Sequence, residues 1–183
     1  METAYSSEKG IQILIALLKQ HGIRKVVASP GGTNMMLNAS LMYDGNFQMF
    51  SSNDERSAAY IACGLAEESG EPVMITCTGA TASRNYMPGL TEAFYRKLPI
   101  LVVTGTQDLR RAGNLFDQVI DRSVHANDIV TYSTYIPLVK DEKDEQNAQL
   151  RINQAISALT LNGGGPAHIN LETFYSKDLS VKN

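Results

Sequence analysis

Short runs of β-branched and aliphatic residues alternate along the chain with stretches whose apolar residues recur every three or four positions. The runs predict strands at Lys25–Ser29, Phe47–Ser52, Pro72–Thr78, Pro99–Thr104, Tyr135–Val139 and Ala167–Leu171. Between them, Ile11, Leu14, Ile15 and Leu18 follow the i, i+3, i+4, i+7 spacing of a one-sided helix. Ala58, Ile61, Ala62 and Leu65 repeat it, and so do Ile152, Ala155, Ile156 and Leu159. Gly22 and Gly70 stand where these helices should end, and Pro72 and Pro99 where strands should begin. Strand–helix alternation of this kind predicts an α/β fold of three layers, αβα, built on a six-stranded parallel sheet.

Three stretches escape the alternation. Leu109–Val130 is irregular and reads as a loop with short helices. Lys140–Glu145 reads as a solvated turn into the last helix, and Gly163-Gly164-Gly165-Pro166 as a structural turn out of it. Residues 1–174 read as one domain and 175–183 as a linker or tail.

The chain has 183 residues, of which 43% are hydrophobic and 19% charged, the balance of an ordered globular domain. The formal net charge is -3 and the basic residues are scattered, which excludes a concentrated nucleic-acid-binding face. Met1 to Lys9 is polar and mixed in charge, unlike a secretory signal. No apolar run reaches the roughly 18 residues of a membrane span. Cys63 and Cys77 have neither CxxC nor metal-ligand spacing, so a reduced, cytoplasmic setting is expected.

In parallel α/β sheets, ligands gather at the carboxyl ends of the strands. Four consecutive predicted ends carry small or polar residues: Pro30-Gly31-Gly32, Asn53-Asp54-Glu55, Thr78-Gly79-Ala80-Thr81 and Thr104-Gly105-Thr106-Gln107. Such residues also suit any strand–helix loop, because helix N-caps favour Ser, Thr, Asp or Asn. Pro30-Gly31-Gly32 matches neither of the glycine-rich nucleotide motifs. Glu55 has two readings. It can serve the first turn of its helix, where a carboxylate meets the dipole and free N–H groups. Alternatively, it is drawn into a contact, because the helix beyond Arg56 is apolar and small nearly all round and predicts burial on more than one side. The three histidines form no metal constellation, although His125 could face the site.

Several motifs, in order, resemble one family. Ser29-Pro30-Gly31-Gly32 resembles the PGG turn of acetolactate synthases. Asp54 to Ala59, followed by Cys63-Gly64-Leu65-Ala66, is similar to the glutamate-bearing helix start of thiamine diphosphate enzymes. Thr78 to Leu90 resembles the matching stretch of the menaquinone-pathway synthase that joins 2-oxoglutarate to isochorismate. Pro99–Gly105, Asn114–Gln118 and Gly165–Leu171 resemble later segments of the same pyrimidine-binding (PYR) domain. The resemblance spans about residues 5 to 174.

What the resemblance implies is specific. Glu55 would activate thiamine diphosphate by sharing a proton with its aminopyrimidine ring. The cofactor itself would take up the electrons released when a 2-keto acid substrate loses carbon dioxide. Pro30, Gly31 and Gly32 would line the ring pocket with Thr78, Thr81 and Asn85, and Gln118 would lie near the substrate. Gly79-Ala80 departs from the family's Ser-Gly. The Gly-Asp-Gly motif that holds Mg²⁺ and the diphosphate in this family does not occur in the chain. A diphosphate-binding domain or partner subunit is therefore implied, as is a homodimer of PYR domains. The isolated chain is expected to be catalytically inert. A non-catalytic flavodoxin-like ligand-binding or scaffold subunit is the alternative.

Overall fold

A computed structural model describes residues 4–121, 125–174, 178–179 and 181–182. Six strands run parallel: β2 (Lys25–Ala28), β3 (Gln48–Ser51), β4 (Val73–Thr78), β5 (Ile100–Thr106), β6 (Tyr132–Ile136) and β7 (Ala167–Glu172). Their order is β3-β2-β4-β5-β7-β6, so every carboxyl end opens on one edge. Two further strands, β1 (Ala4–Tyr5) and β8 (Val181–Lys182), pair antiparallel with each other. Two residues are too few to show a period, which is why neither was visible in the pattern.

Alternating side chains give the sheet two apolar faces. On one, α1 (Lys9–Gln20), α2 (Met35–Tyr43) and α6 (Glu142–Ala158) pack over Val26, Met74, Leu101, Ile136, Ile169 and Leu171. On the other, α3 (Glu55–Ser69) and α5 (Met87–Arg96) cover Val27, Ile75, Cys77 and Val102, with the single-turn α4 (Ala82–Asn85) between them. The predicted three-layer architecture is thus observed. Two strands shift by more than one residue, and most of the turn read at Lys140–Glu145 belongs to α6, which starts at Glu142. The strand expected at Tyr135–Val139 lies at Tyr132–Ile136, because Pro137 has no N–H to continue the ladder. The strand expected to end at Thr104 continues to Thr106 and carries its polar residues to the edge. Within Leu109–Val130, the only helix assigned among the described residues is a 3-10 turn at Leu109–Arg111.

Part of the second face is polar. The Thr104 hydroxyl donates to Asn170 Oδ1 (2.8 Å), so its oxygen is left to accept from His168 Nε2 (2.9 Å). That leaves His168 Nδ1 to accept from the Ser133 hydroxyl at 3.0 Å, and the imidazole tautomer follows from the pairing.

The turn ending α2 contains a buried anchor. Asp44 is 1% exposed and accepts from the Tyr5 hydroxyl (2.6 Å), Lys19 Nζ (3.0 Å) and Asn46 Nδ2 (2.6 Å). Burial alone would push its carboxyl up. The hydrogen bonds from Tyr5, Asn46 and Lys19 outweigh this and hold it at about 2, below its ordinary 3.8. A depressed carboxylate stabilises the fold above its unfolded value, and the contribution is lost as pH falls through the folded value. Asp44→Asn is expected to cost about 2 kcal/mol at pH 7. Urea unfolding should show the gap to the unsubstituted protein closing between about pH 4 and pH 2.

Candidate cofactor site at the carboxyl edge

Where β2 ends, the chain leaves the sheet through Ser29-Pro30-Gly31 and enters a 3-10 turn at Gly32–Asn34. Ser29 N still donates to Thr76 O (2.9 Å), which ties the start of the turn to β4. Gly31 is fully extended and pressed on the end of β4. A Cβ built there would stand 2.2 Å from Thr78 Cγ2. Beneath the turn, Asn34 Oδ1 accepts from Gly31 N (2.8 Å), and its Nδ2 donates to Ser29 O (3.1 Å) and Thr76 Oγ1 (3.2 Å). Pro30 and Gly32 are left exposed on the open edge.

The same turn is laced to the neighbouring strand ends. Thr33 Oγ1 donates to Gly105 O (2.7 Å), which also accepts from Gly79 N (2.7 Å). Thr173 Oγ1, just past β7, donates to Thr33 O (2.9 Å). A Cβ at Gly105 would lie 2.4 Å from Thr33 O, so only glycine permits this approach.

After β3, the capping role falls to a neighbour of the candidate glutamate. Asp54 is the N-cap of α3, and its Oδ2 accepts from Ser57 N (2.7 Å) and Ser57 Oγ (2.6 Å). Those bonds, the hydroxyl's first, hold the Asp54 carboxyl below its ordinary range. Glu55 is thereby left free of the cap. It is half-buried, and Asn85 Nδ2 lies 3.5 Å from its Oε2, at the outer limit of a hydrogen bond. The third strand end reaches this pair through Gly79-Ala80-Thr81 and α4. Ala80 adopts φ 56 in the left-handed region, at the position where the resembling family carries glycine.

The expected double-sided burial of α3 is only half met in the single chain. Ala58, Ala59, Ala62, Cys63 and Ala66 are buried, while Tyr60 (47%) and Ile61 (42%) stay exposed. Cys63 is a packed thiol that burial pushes up to about 11.

The sequence-derived residues therefore fall into two groups. Pro30, Gly31, Gly32, Glu55, Thr78, Thr81 and Asn85 share the ends of β2, β3 and β4. Gln118 stands apart: it is exposed, has φ 57, and no described hydrogen bond joins it to Glu55 or Asn85. Its loop does approach α4, where Arg84 Nη2 contacts Asp121 O at 3.4 Å. His125 is half-exposed, with Nδ1 3.0 Å from Ala126 O. Among the described residues no group of three or more His, Cys, Asp or Glu could hold a metal ion. No helix among them is long and apolar enough to cross a membrane. Sequence reasoning passed over Asn34, because an asparagine ahead of a helix is expected for ordinary capping.

Residues 8–126 match the thiamine pyrophosphate enzyme, N-terminal TPP binding domain. The chain belongs to this family. Among its relatives, the 2-succinyl-5-enolpyruvyl-6-hydroxy-3-cyclohexene-1-carboxylate synthase of Phocaeicola vulgatus is 36% identical over 167 residues, covering 91% of this chain and 30% of the synthase. The synthase of the same name from Desulfotalea psychrophila is 34% identical over 171 residues, covering 89% and 31%. The chain thus spans about a third of the length of these curated relatives. A thiamine diphosphate-dependent 4-hydroxybenzoylformate decarboxylase from Rhodococcus jostii RHA1 shares the fold, with a TM-score of 0.77 and 22% identity, over 89% of this chain and 30% of that one.

In this TPP-binding domain the turn–strand contact at Gly31 can be tested directly. Gly31→Ala is expected to destabilise by about 1–3 kcal/mol through overpacking. Thr78→Ser removes the offending methyl, so adding it should recover most of that loss in a double-mutant cycle of denaturant unfolding. Strictly additive effects would contradict the contact.

Proposed function

We propose that this chain is the PYR domain of a thiamine diphosphate-dependent 2-keto acid decarboxylase or carboligase, with Glu55 as the residue that activates the cofactor. The observation that carries the reading is the state of Glu55. It stands at the carboxyl edge, relieved of capping by Asp54, with the Asn85 amide turned towards it. A carboxyl held in that way can give or take a proton at the nitrogen of an aminopyrimidine.

The residues present fit such a ring. Pro30, Gly31 and Gly32 offer an exposed turn of little bulk, and a Cβ at Gly31 would already meet Thr78. Thr78, Thr81 and Asn85 supply polar groups from the adjacent strand end. When bound, thiamine diphosphate supplies the electron sink for cleavage or formation of a bond beside a carbonyl. This chain would orient the ring between turn and helix and hold the proton at the Glu55 carboxyl. Withdrawal of that carboxyl from water requires a cover, and the exposed Tyr60 and Ile61 of α3 are the surface such a cover would meet.

The diphosphate and its Mg²⁺ would be held by a diphosphate-binding domain or subunit, because no Gly-Asp-Gly occurs here. The active assembly would pair PYR domains as a dimer. Gln118 would approach the 2-keto acid only in that assembly, and the setting would be cytoplasmic.

In the complete protein, Glu55→Gln is expected to lower the turnover of a 2-keto acid by about 10²–10⁴-fold, the range of a lost proton-transfer group. The far-ultraviolet circular dichroism and the melting temperature should be unchanged. Full activity in that variant would leave a scaffold or other ligand-binding role as the better reading.

A further inference from the structure

We infer that Asn34 is a positioning residue for the cofactor, its buried amide setting the conformation of the turn that receives the aminopyrimidine ring. The inference rests on the function proposed above and adds a residue that the chain's motifs do not single out. Asn34 is 0% exposed, so it cannot touch a ligand at the open edge itself. Its effect passes through Ser29-Pro30-Gly31.

Three observations support the role. First, Asn34 occupies the N-cap position of α2, yet its side chain makes no capping bond. Every hydrogen bond described for its side chain runs instead to the turn or to β4, to Gly31 N, Ser29 O and Thr76 Oγ1. Second, Ser29 and Gly31 lie just beyond the end of β2. The Ser29 N–H still reaches Thr76 O, but the Ser29 carbonyl and the Gly31 N–H take their partner from the Asn34 side chain. Third, the turn is confined on its other flank by Thr78, against which Gly31 packs with no room for a Cβ. The amide from beneath and the threonine from the side together determine where Pro30 and Gly32 stand on the edge.

The chemistry required is particular to asparagine. One planar group must accept from Gly31 N–H and, from the adjacent atom, donate to both a carbonyl and a hydroxyl. Aspartate matches the shape but has no donor when ionised, so a carboxylate oxygen would face the Ser29 carbonyl. Thr76→Val, near-isosteric, would remove one of the two acceptors of the amide and leave the others in place.

The test uses the complete protein and thiamine diphosphate with Mg²⁺ as the probe. Binding is followed by titration calorimetry at a temperature where melting curves show each variant folded. Asn34→Asp is expected to weaken the cofactor Kd about tenfold or more, the loss associated with an unpaired buried group, and Thr76→Val by a smaller factor. Steady-state kinetics should show KM for thiamine diphosphate rising, with kcat preserved at saturating cofactor, a split that a merely structural role would not produce. If Asn34→Asp does not fold, Thr76→Val decides alone. An unchanged Kd in the folded variants, or a fall in kcat with cofactor affinity intact, overturns the positioning role. Failure of the unsubstituted protein to bind the cofactor overturns the underlying function instead, so the two failures are distinguishable.

Discussion

A parallel sheet stops all its strands at one edge, and each stop releases backbone N–H and C=O groups that must find new partners where water is scarce. In this domain one short segment meets much of that demand. Residues 29–34 supply a side-chain amide to Ser29, Gly31 and β4, a hydroxyl to Gly105, and a carbonyl to Thr173. The ends of β2, β4, β5 and β7 are thereby tied into one surface. Whatever binds at the edge meets a preorganised wall and not four independent loops.

That constraint explains where glycine is needed. At Gly105 the limit is backbone on backbone, because a Cβ would run into Thr33 O. At Gly31 it is a threonine methyl, which a smaller residue could relieve. Ala80 shows the opposite situation. It holds a left-handed conformation that glycine would adopt without strain, and the chain tolerates it in a tightly packed loop.

The division of labour at the start of α3 bears on chemistry as well as stability. Adjacent acids compete for the same helix end, and only one can be the cap. Asp54 takes the Ser57 N–H and hydroxyl, so Glu55 is available for a second partner. A helix that is small and apolar on its buried side lets this happen close to the sheet. Tyr60 and Ile61, on its open side, stay exposed in the single chain.

The order of elements, the parallel sheet and the faces of α1 and α6 were legible in the sequence, because burial of one face imposes a period of 3.6 or 2 that survives without knowledge of the fold, whereas the stripe read for α3 included Ile61, which is exposed. Local chemistry was equally legible: Gly70 past a helix and Pro99 before a strand. The short pair β1 and β8 and the anchor at Asp44 were not. Each depends on partners far apart along the chain, such as Tyr5 with Asp44 or Thr173 with Thr33. The same holds for the site. Motifs brought Glu55 and the Pro30–Gly32 turn to notice, but only the tertiary structure decided that Asp54 does the capping and that Asn34 bonds backward into the turn. Periodicity records which residues are hidden from water; it carries no record of which hydrogen-bonding groups meet once they are hidden.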